Sequence, residues 1–136
     1  MIDANEPLSA DRALALNPLS LAFIGDAVCA LFVRARLARS SDKKAGGLHE
    51  DAKKYVSAYG QAAALDRVWD SLNEGERDVC RRARNAHNNT KAKNTDLETY
   101  KKATALEALI GYYYLIRNEA RLTELLELSY PWGTKI

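Results

Sequence analysis

Hydrophobic residues recur at the spacing of helix faces along most of the chain, and no segment shows the sustained alternation of a β-strand. The clearest stripe lies between residues 17 and 39 and consists of Leu19, Phe23, Ala30, Val33 and Leu37. Asn17 and Pro18 at its start are typical of a helix N-terminus. This pattern predicts a long helix with one buried face.

Signals for helix ends divide the rest of the chain. Further helices are predicted over residues 9–16, 48–70, 73–86, 95–118 and 119–128. Gly60 is expected to bend the second of these. Two others begin at predicted capping boxes, formed by Asn73 with Glu76 and by Thr95 with Glu98. We therefore predict an all-α fold.

Two acidic residues interrupt the two most apolar helices. Asp26 falls within the stripe of the first, and Glu107 is the only formal charge between residues 103 and 116. Each lies near a glycine, Gly25 or Gly111. A glycine inside a helix costs about 1 kcal/mol relative to alanine, so it indicates the close approach of another backbone. A carboxylate on an apolar helix face needs a cation, a hydrogen-bonding partner or a raised pKa.

Two interpretations of these acids are open. Either an arginine or a backbone donor satisfies each acid separately, or both acids bind one cation. Oxygen-only ligands favour Mg²⁺, with Mn²⁺ as a substitute, over zinc. Neither His49 nor His87 has a partner at metal-ligand spacing. Because Mg²⁺ held by carboxylates contacts substrate phosphates, a shared cation would indicate phosphoryl chemistry.

Composition limits the class of protein. With 136 residues, 47% of them hydrophobic, residues 1–136 are expected to form one compact domain rather than a disordered chain. Cys29 and Cys80 form no CxxC pair and are interpreted as reduced thiols. The N-terminus does not resemble a signal peptide, and no uninterrupted apolar segment approaches bilayer length, so a cytoplasmic protein with no membrane partner is expected.

Positive charge is concentrated between residues 81 and 102. This segment contains seven basic and two acidic residues, although the net charge of the chain is only +2. One interpretation is a solvated helix face and an ordinary loop. The other is a polyanion-binding segment, which is favoured because it leads directly into the helix that carries Glu107. Few aromatic residues are interleaved, which favours contact with the backbone of a nucleic-acid duplex over stacking on single-stranded bases. The candidate residues for binding this polyanion are Arg81, Arg82, Arg84, Asn85, Lys91 and Lys93.

Two stretches resemble the signature helices of the ribonuclease III catalytic domain, namely LNPLSLAFIGDAV around Asp26 and ATALEALIGYYYL around Glu107. Over about residues 17–128 the chain is similar to the Mini-ribonuclease III family, the short bacterial form without a separate double-stranded-RNA-binding domain. Further matching segments, in the same order, are Leu48-His49, Val56-Ser57-Ala58, Gln61-Ala62, Arg84-Asn85-Ala86 and KNTDLETY at residues 93–100.

The resemblance implies a homodimeric, Mg²⁺-dependent endoribonuclease that cleaves double-stranded RNA and leaves 5′-phosphate ends. It implies that Asp26 and Glu107 are catalytic metal ligands and that the basic segment contacts the duplex. It further implies maturation of precursor large-subunit (23S) ribosomal RNA, with a large-subunit ribosomal protein as a candidate partner. The alternative is a catalytically inactive RNA-binding or ribosome-assembly protein of the same fold.

The chain has fewer acids than this resemblance alone would suggest. Acids of the full-length ribonuclease III signature are replaced here by Leu19, Ala22 and Thr104. Ala30 stands where many Mini-type members are expected to have another acid. This thinner set favours one tightly bound metal ion over two, with Glu50 and Asp51 as candidates for a third ligand.

Overall fold

The computed structural model describes residues 4–86 and 96–131, and these residues are helical with no strand. The helices are α1 (Ala10–Leu14), α2 (Pro18–Ser40), α3 (Ala45–Val56), α4 (Ala58–Val68), α5 (Glu74–Arg84), α6 (Leu97–Ile116) and α7 (Glu119–Ser129), with a 3₁₀ turn at Trp69–Ser71. The central helix is α6, which contacts α1, α2, α4, α5 and α7. Its side chains Leu106, Leu109 and Ile110 are fully buried. The all-α prediction is confirmed.

The buried face of α2 is rotated relative to the predicted stripe. That face consists of Leu21, Ala22, Gly25, Cys29 and Val33. Phe23, by contrast, is 78% exposed, and Asp26 is exposed as well. The prediction that Phe23 and Asp26 lie on the buried face was therefore wrong. Because the buried positions are mostly small, α6 can approach closely, and this packing outweighs the burial of larger apolar side chains.

Two helix starts are confirmed by their caps. The Asn17 side chain accepts a hydrogen bond from the Leu19 N–H at 2.9 Å. At the start of α5, Asn73 and Glu76 form the predicted capping box, with N···O distances of 2.8 and 2.9 Å. These side chains satisfy N–H groups that have no partner within the helix.

Two other predicted boundaries are displaced. The bend expected near Gly60 is a break at Ser57, because Ser57 is extended (φ −67°, ψ 166°) and its side chain caps α4. The N-cap of α6 is Asp96, whose carboxylate accepts a hydrogen bond from the Thr99 N–H at 2.8 Å. The predicted cap, Thr95, lies outside the described residues.

By length and mean hydropathy alone, α2 is sufficient to cross a bilayer. Its apolar sequence is nevertheless interrupted by Asp26 and Arg34, so it is not the uninterrupted apolar segment considered above. A helix in the core of a folded domain passes the same test, and α2 packs along α6 and α3. This packing accounts for the apolar residues on the buried face of α2, whereas Phe23 and Leu31 remain exposed.

A buried ion pair joins α5, α6 and α7. Glu76 is 2% exposed, and its carboxylate accepts hydrogen bonds from the Tyr113 hydroxyl at 2.6 Å and from Arg121 Nε and Nη2 at 2.7 and 2.8 Å. Burial by itself would raise the pKa of Glu76. The hydrogen bonds from Arg121, Tyr113 and the Asn73 backbone outweigh burial and lower that pKa to about 2. Glu76 is therefore ionised and fully paired.

Candidate active site

Two glycines bring α2 and α6 into backbone contact. A Cβ atom on Gly25 would lie 1.7 Å from the carbonyl oxygen of Glu107, and one on Gly111 would lie 1.9 Å from the carbonyl oxygen of Leu21. Neither position has space for alanine unless the helices separate. The close backbone approach predicted from these glycines is confirmed, and it fixes the distance between the two acid-bearing turns.

Asp26 and Glu107 lie side by side in a cleft of about 260 Å³. The residues that line the cleft are Leu19, Ala22, Phe23, Asp26, Tyr100, Thr104 and Glu107. The two carboxyl groups are hydrogen-bonded to each other. Glu107 is half-buried, whereas Asp26 is exposed to solvent at the rim. The fold thus joins two acids that are separated by 80 residues of sequence.

The pair lacks a compensating cation among the described residues. Burial is the main cause that raises the pKa of Glu107 to about 9, and the hydrogen bond to Asp26 and its negative charge raise it further. No arginine or lysine of the described ranges counteracts this shift. At neutral pH, Glu107 therefore retains its proton and donates a hydrogen bond to Asp26, as happens when two carboxylates share one site.

The donor set fits a divalent cation. A cation between the two acids would take the place of the shared proton and would restore the charge balance that the described residues leave open. Both ligands are hard oxygen donors, which suit Mg²⁺, and Mg²⁺ keeps several of its waters and needs only one or two carboxylates. Within the described ranges no cluster of three or more histidine, cysteine or acidic residues could hold a metal.

The positions at which further acids were considered supply none to the cleft. Leu19, Ala22 and Thr104 line it without a carboxylate, and the Thr104 hydroxyl donates to the Tyr100 carbonyl at 3.0 Å. Asp51 instead accepts a hydrogen bond from Lys43 at 2.7 Å, and neither it nor Glu50 lines the cleft. The structure therefore gives no support to Glu50 or Asp51 as a third ligand.

The described members of the predicted RNA-binding set lie at the C-terminal end of α5. Arg84 forms an ion pair with Glu98 in the first turn of α6, two residues before Tyr100 of the cleft. Asn85 is the exposed C-cap of α5. This pairing brings Arg84 and Asn85 towards the cleft end of α6.

The other members are held elsewhere or fall outside the described ranges. Arg81 points back along α5, where Nη1 lies 2.7 Å from Glu74 and 3.2 Å from Asp78. Arg82 Nη2 donates to the carbonyl of Leu14 at 2.9 Å. Lys91 and Lys93 lie outside the described residues.

Sequence reasoning missed Tyr100 as a cleft residue. Tyr100, Thr104 and Glu107 follow one another at spacings of four and three, which places them on one face of α6. That spacing is the sequence signal that could identify Tyr100. Apolar periodicity does not, because Tyr100 precedes the apolar run that contains Glu107.

Residues 19–118, which extend from α2 to the N-cap of α7, match the ribonuclease III domain. The match includes both acids of the cleft, so the fold and the site together define a ribonuclease III-domain protein. Among its relatives, a Mini-ribonuclease 3 of Thermoanaerobacter sp. (strain X514) is 41% identical over 128 residues, which cover 94% of this chain and 90% of the relative. The chain belongs to the Mini-ribonuclease 3 family and is an endoribonuclease of that family.

Two further similar proteins also match most of the chain. A Mini-ribonuclease 3 of Staphylococcus aureus (strain NCTC 8325 / PS 47) is 46% identical over 113 residues, which cover 82% of this chain and 84% of the relative. The crystal structure of a protein from Fusobacterium nucleatum has a TM-score of 0.77 at 29% identity, covering 84% of this chain and 91% of that one. The similarity therefore extends to the fold.

Proposed function

We propose that the chain hydrolyses double-stranded RNA with Mg²⁺ at Asp26 and Glu107 and leaves 5′-phosphate and 3′-hydroxyl ends. The observation that carries this proposal is the hydrogen-bonded acid pair, which lines one open cleft and receives no cation from the described residues. A structural acid has no need of this arrangement, as the fully paired Glu76 illustrates.

Asp26 and Glu107 act as the ligands of the cation, for which Mn²⁺ is a chemically similar substitute. A divalent cation bound there supplies a water molecule with a lowered pKa and neutralises charge on the phosphate. The fixed contact between Gly25 and Glu107 keeps both carboxylates in place, so that little reorganisation is needed when RNA binds. Leu19, Ala22 and Phe23 give the open cleft an apolar wall beside the two acids.

Basic residues hold the RNA through its phosphates. Arg84 and Asn85 lie towards the cleft end of α6, and Arg81, Arg82, Lys91 and Lys93 extend the positive segment. Affinity would come largely from released counterions and would fall with rising salt concentration. The half-buried side chain of Tyr100 adds a polar group at the end of the cleft nearest to this segment.

The proposed working form is a homodimer in the cytoplasm. Its support is an exposed apolar surface on α2, where Phe23 is 78% and Leu31 is 56% exposed. An adjoining groove of about 390 Å³ between α2 and α7 is lined mainly by Val28, Leu31, Phe32 and Leu126. Contiguous apolar surface of this kind is typical of a protein–protein interface.

The proposed substrate is the stem of precursor 23S ribosomal RNA, and a large-subunit ribosomal protein is the proposed partner that presents it. Support comes from the similarity to proteins named Mini-ribonuclease 3 across most of the chain. The proposed class of substrate is therefore a base-paired RNA stem.

A cleavage assay on duplex RNA tests this function. The wild type, Asp26→Asn and Glu107→Gln are compared with Mg²⁺, and Glu50→Gln serves as a control because Glu50 is exposed and lies outside the cleft. We expect cleavage by the wild type and the control, 5′-phosphate ends, and loss of cleavage in both cleft variants. If the wild type binds duplex RNA without cutting it, the chain is instead an inactive RNA-binding protein of this fold. Normal cutting by both cleft variants would contradict the proposed site.

A further inference from the structure

A second polar cluster is buried close to the acid pair. It consists of Cys29 on α2, Gln61 on α4 and Tyr130 directly after α7, which are 0%, 0% and 3% exposed. The Tyr130 hydroxyl donates to Gln61 Oε1. The buried Cys29 thiol lies beside Tyr130 and Gln61. Side chains from α2, α4 and the residue after α7 thus meet in one buried cluster.

The cluster is costly for the fold. Among the described residues, Gln61 Nε2 is buried without a hydrogen-bond partner, and an unsatisfied buried amide costs about 1–3 kcal/mol. Apolar side chains of similar volume at the same three positions would avoid that cost. The cluster therefore calls for an explanation other than stability.

Its position supplies one. Cys29 lies three residues after Asp26, on the face of α2 that packs against α6. Burial is the main cause that raises the pKa of the Cys29 thiol and of the Tyr130 hydroxyl, and ionisation of Glu107 would raise both further, so the cluster lies within electrostatic range of the acid pair. The cluster thus forms a polar layer behind the acid pair, on the side of Asp26 and Glu107 that faces the core.

The chain around Tyr130 is clamped from several sides. Arg36 Nη1 donates to the Tyr130 carbonyl at 3.0 Å, and Arg67 donates to the carbonyl of Ser129 at 2.8 and 3.0 Å. The Tyr130 ring also packs against Phe32 and Tyr55, with centroids 6.0 and 6.1 Å away. The phenol hydroxyl is therefore held at a fixed point relative to α2 and α4.

We infer that Tyr130 and Gln61 are positioning residues for the cation site, acting through Cys29 to hold the α2 turn that bears Asp26 against the α6 turn that bears Glu107. This inference rests on the proposed function. It extends the site from the two acids to a hydrogen-bonded layer that anchors the end of α7. Loss of the layer would leave both ligands present but would loosen their spacing, and a loosened site binds its cation less tightly.

Equilibrium binding of Mn²⁺ to the RNA-free protein, measured by titration calorimetry, tests the inference. The variants are Tyr130→Phe, which keeps the ring packing, and Gln61→Met, which keeps the volume. The control is Tyr113→Phe. It also removes a buried tyrosine hydroxyl, but that hydroxyl donates to Glu76 and not to Gln61. Thermal unfolding of each variant shows how much stability is lost.

We expect both cluster variants to bind Mn²⁺ about tenfold more weakly, a change of about 1.4 kcal/mol. The control variant should bind as the wild type does, even if it unfolds at a lower temperature. In cleavage assays, Tyr130→Phe should need about tenfold more Mg²⁺ for half-maximal rate and should reach a near-normal rate at saturation. A purely structural role would lower the active fraction without moving the Mg²⁺ requirement.

The outcomes separate this inference from the proposed function. If Tyr130→Phe and Gln61→Met both fold and bind Mn²⁺ like the wild type, the positioning role is wrong and the acid-pair site stands. If Mn²⁺ binding by the wild type does not depend on Asp26, the proposed site is wrong, and the positioning role is overturned with it. Should one cluster variant fail to fold, the other decides the question.

Discussion

Glu76 and Glu107 are two acids in the core around α6, and their surroundings differ in one respect. Glu76 is 2% exposed and is paired with the Arg121 guanidinium, which holds its pKa near 2. Glu107 is half-buried beside another acid, and its pKa rises to about 9. The fold is therefore able to pair a buried carboxylate with its own cation. Within the described residues it does so at Glu76 and not at Glu107, and the cation site proposed above would account for this difference.

The largest expected effects come from neutralising each acid in turn. Glu107→Gln should lower duplex cleavage by about 10³-fold or more, because several kcal/mol of transition-state stabilisation are lost. The same change should raise the stability of the metal-free protein by roughly 1–3 kcal/mol, since it removes a carboxyl whose ionised form is disfavoured in the folded state. Cleavage rates and urea unfolding measure the two effects.

Glu76→Gln should show the reverse pattern. It removes the buried counter-charge of the partly buried Arg121, which keeps only the exposed Glu124 as an acidic partner, and should cost about 3 kcal/mol of stability. The folded fraction at low temperature should still cleave RNA at a near-normal rate. If Glu76→Gln abolished cleavage while remaining folded, the two acids would not have the separate roles assigned to them.

Acid unfolding should report on Glu76. Its pKa is lowered in the folded state from an ordinary 4.5 to about 2. The stabilisation of about 3 kcal/mol is therefore complete above pH 4.5 and is lost as the pH falls towards 2. Urea unfolding between pH 6 and pH 2 should show this loss in the wild type and a smaller one in Glu76→Gln. Equal slopes in the two proteins would contradict the assignment.

Separating α2 from α6 should damage the cleft that holds Glu107 but not the ion pair of Glu76. Gly25→Ala and Gly111→Ala force a new Cβ against a carbonyl oxygen, and overpacking of this kind costs about 1–3 kcal/mol. Both variants should also lose Mg²⁺ binding. Gly46→Ala is the matched control, since a Cβ there has nothing within 4 Å and should stabilise α3 slightly. Unimpaired Mg²⁺ binding by a folded Gly25→Ala variant would show that the helix spacing does not set the site.

Binding of Mg²⁺ should release a proton from the acid pair. Because the pKa of Glu107 lies at about 9 in the metal-free protein, the pair holds a proton at pH 7 that the cation must displace. Calorimetric titrations in buffers of different ionisation enthalpy should give close to one proton released per ion at pH 7. The value should fall as the pH is raised above 9. Absence of release at pH 7 would mean that the two acids do not share a proton.

The smallest effect is expected at Arg84. Arg84→Gln removes one phosphate contact from the proposed duplex surface and should reduce the slope of log affinity against log salt by about 1. Its pairing with Glu98 is solvent-exposed, so stability should change by less than about 1 kcal/mol. Arg12→Gln, an exposed arginine on α1 outside the basic segment, is the control. An unchanged salt slope in Arg84→Gln would remove α5 from the binding surface.

Several features of this protein could be predicted from local sequence. The helices, the caps at Asn17 and Asn73, and the two acids in apolar helices all depend on residues within a few positions of one another. The glycines next to those acids indicated a close backbone contact, because a helix interior tolerates glycine only at a cost. The family resemblance then supplied the class of reaction, which no spacing of residues could have provided.

Tertiary structure decided the rest. The Gly25–Gly111 contact rotates α2 so that Phe23 and Asp26 face outward, which the apolar stripe could not show. The pairing of Glu76 with Arg121 joins residues 45 positions apart. In each case the deciding interaction is long-range: a helix sequence specifies which residues are apolar, but the neighbour that packs most closely selects the face that is buried. The chain by itself therefore identified Asp26 and Glu107, and only the packing of α2 on α6 made them one site.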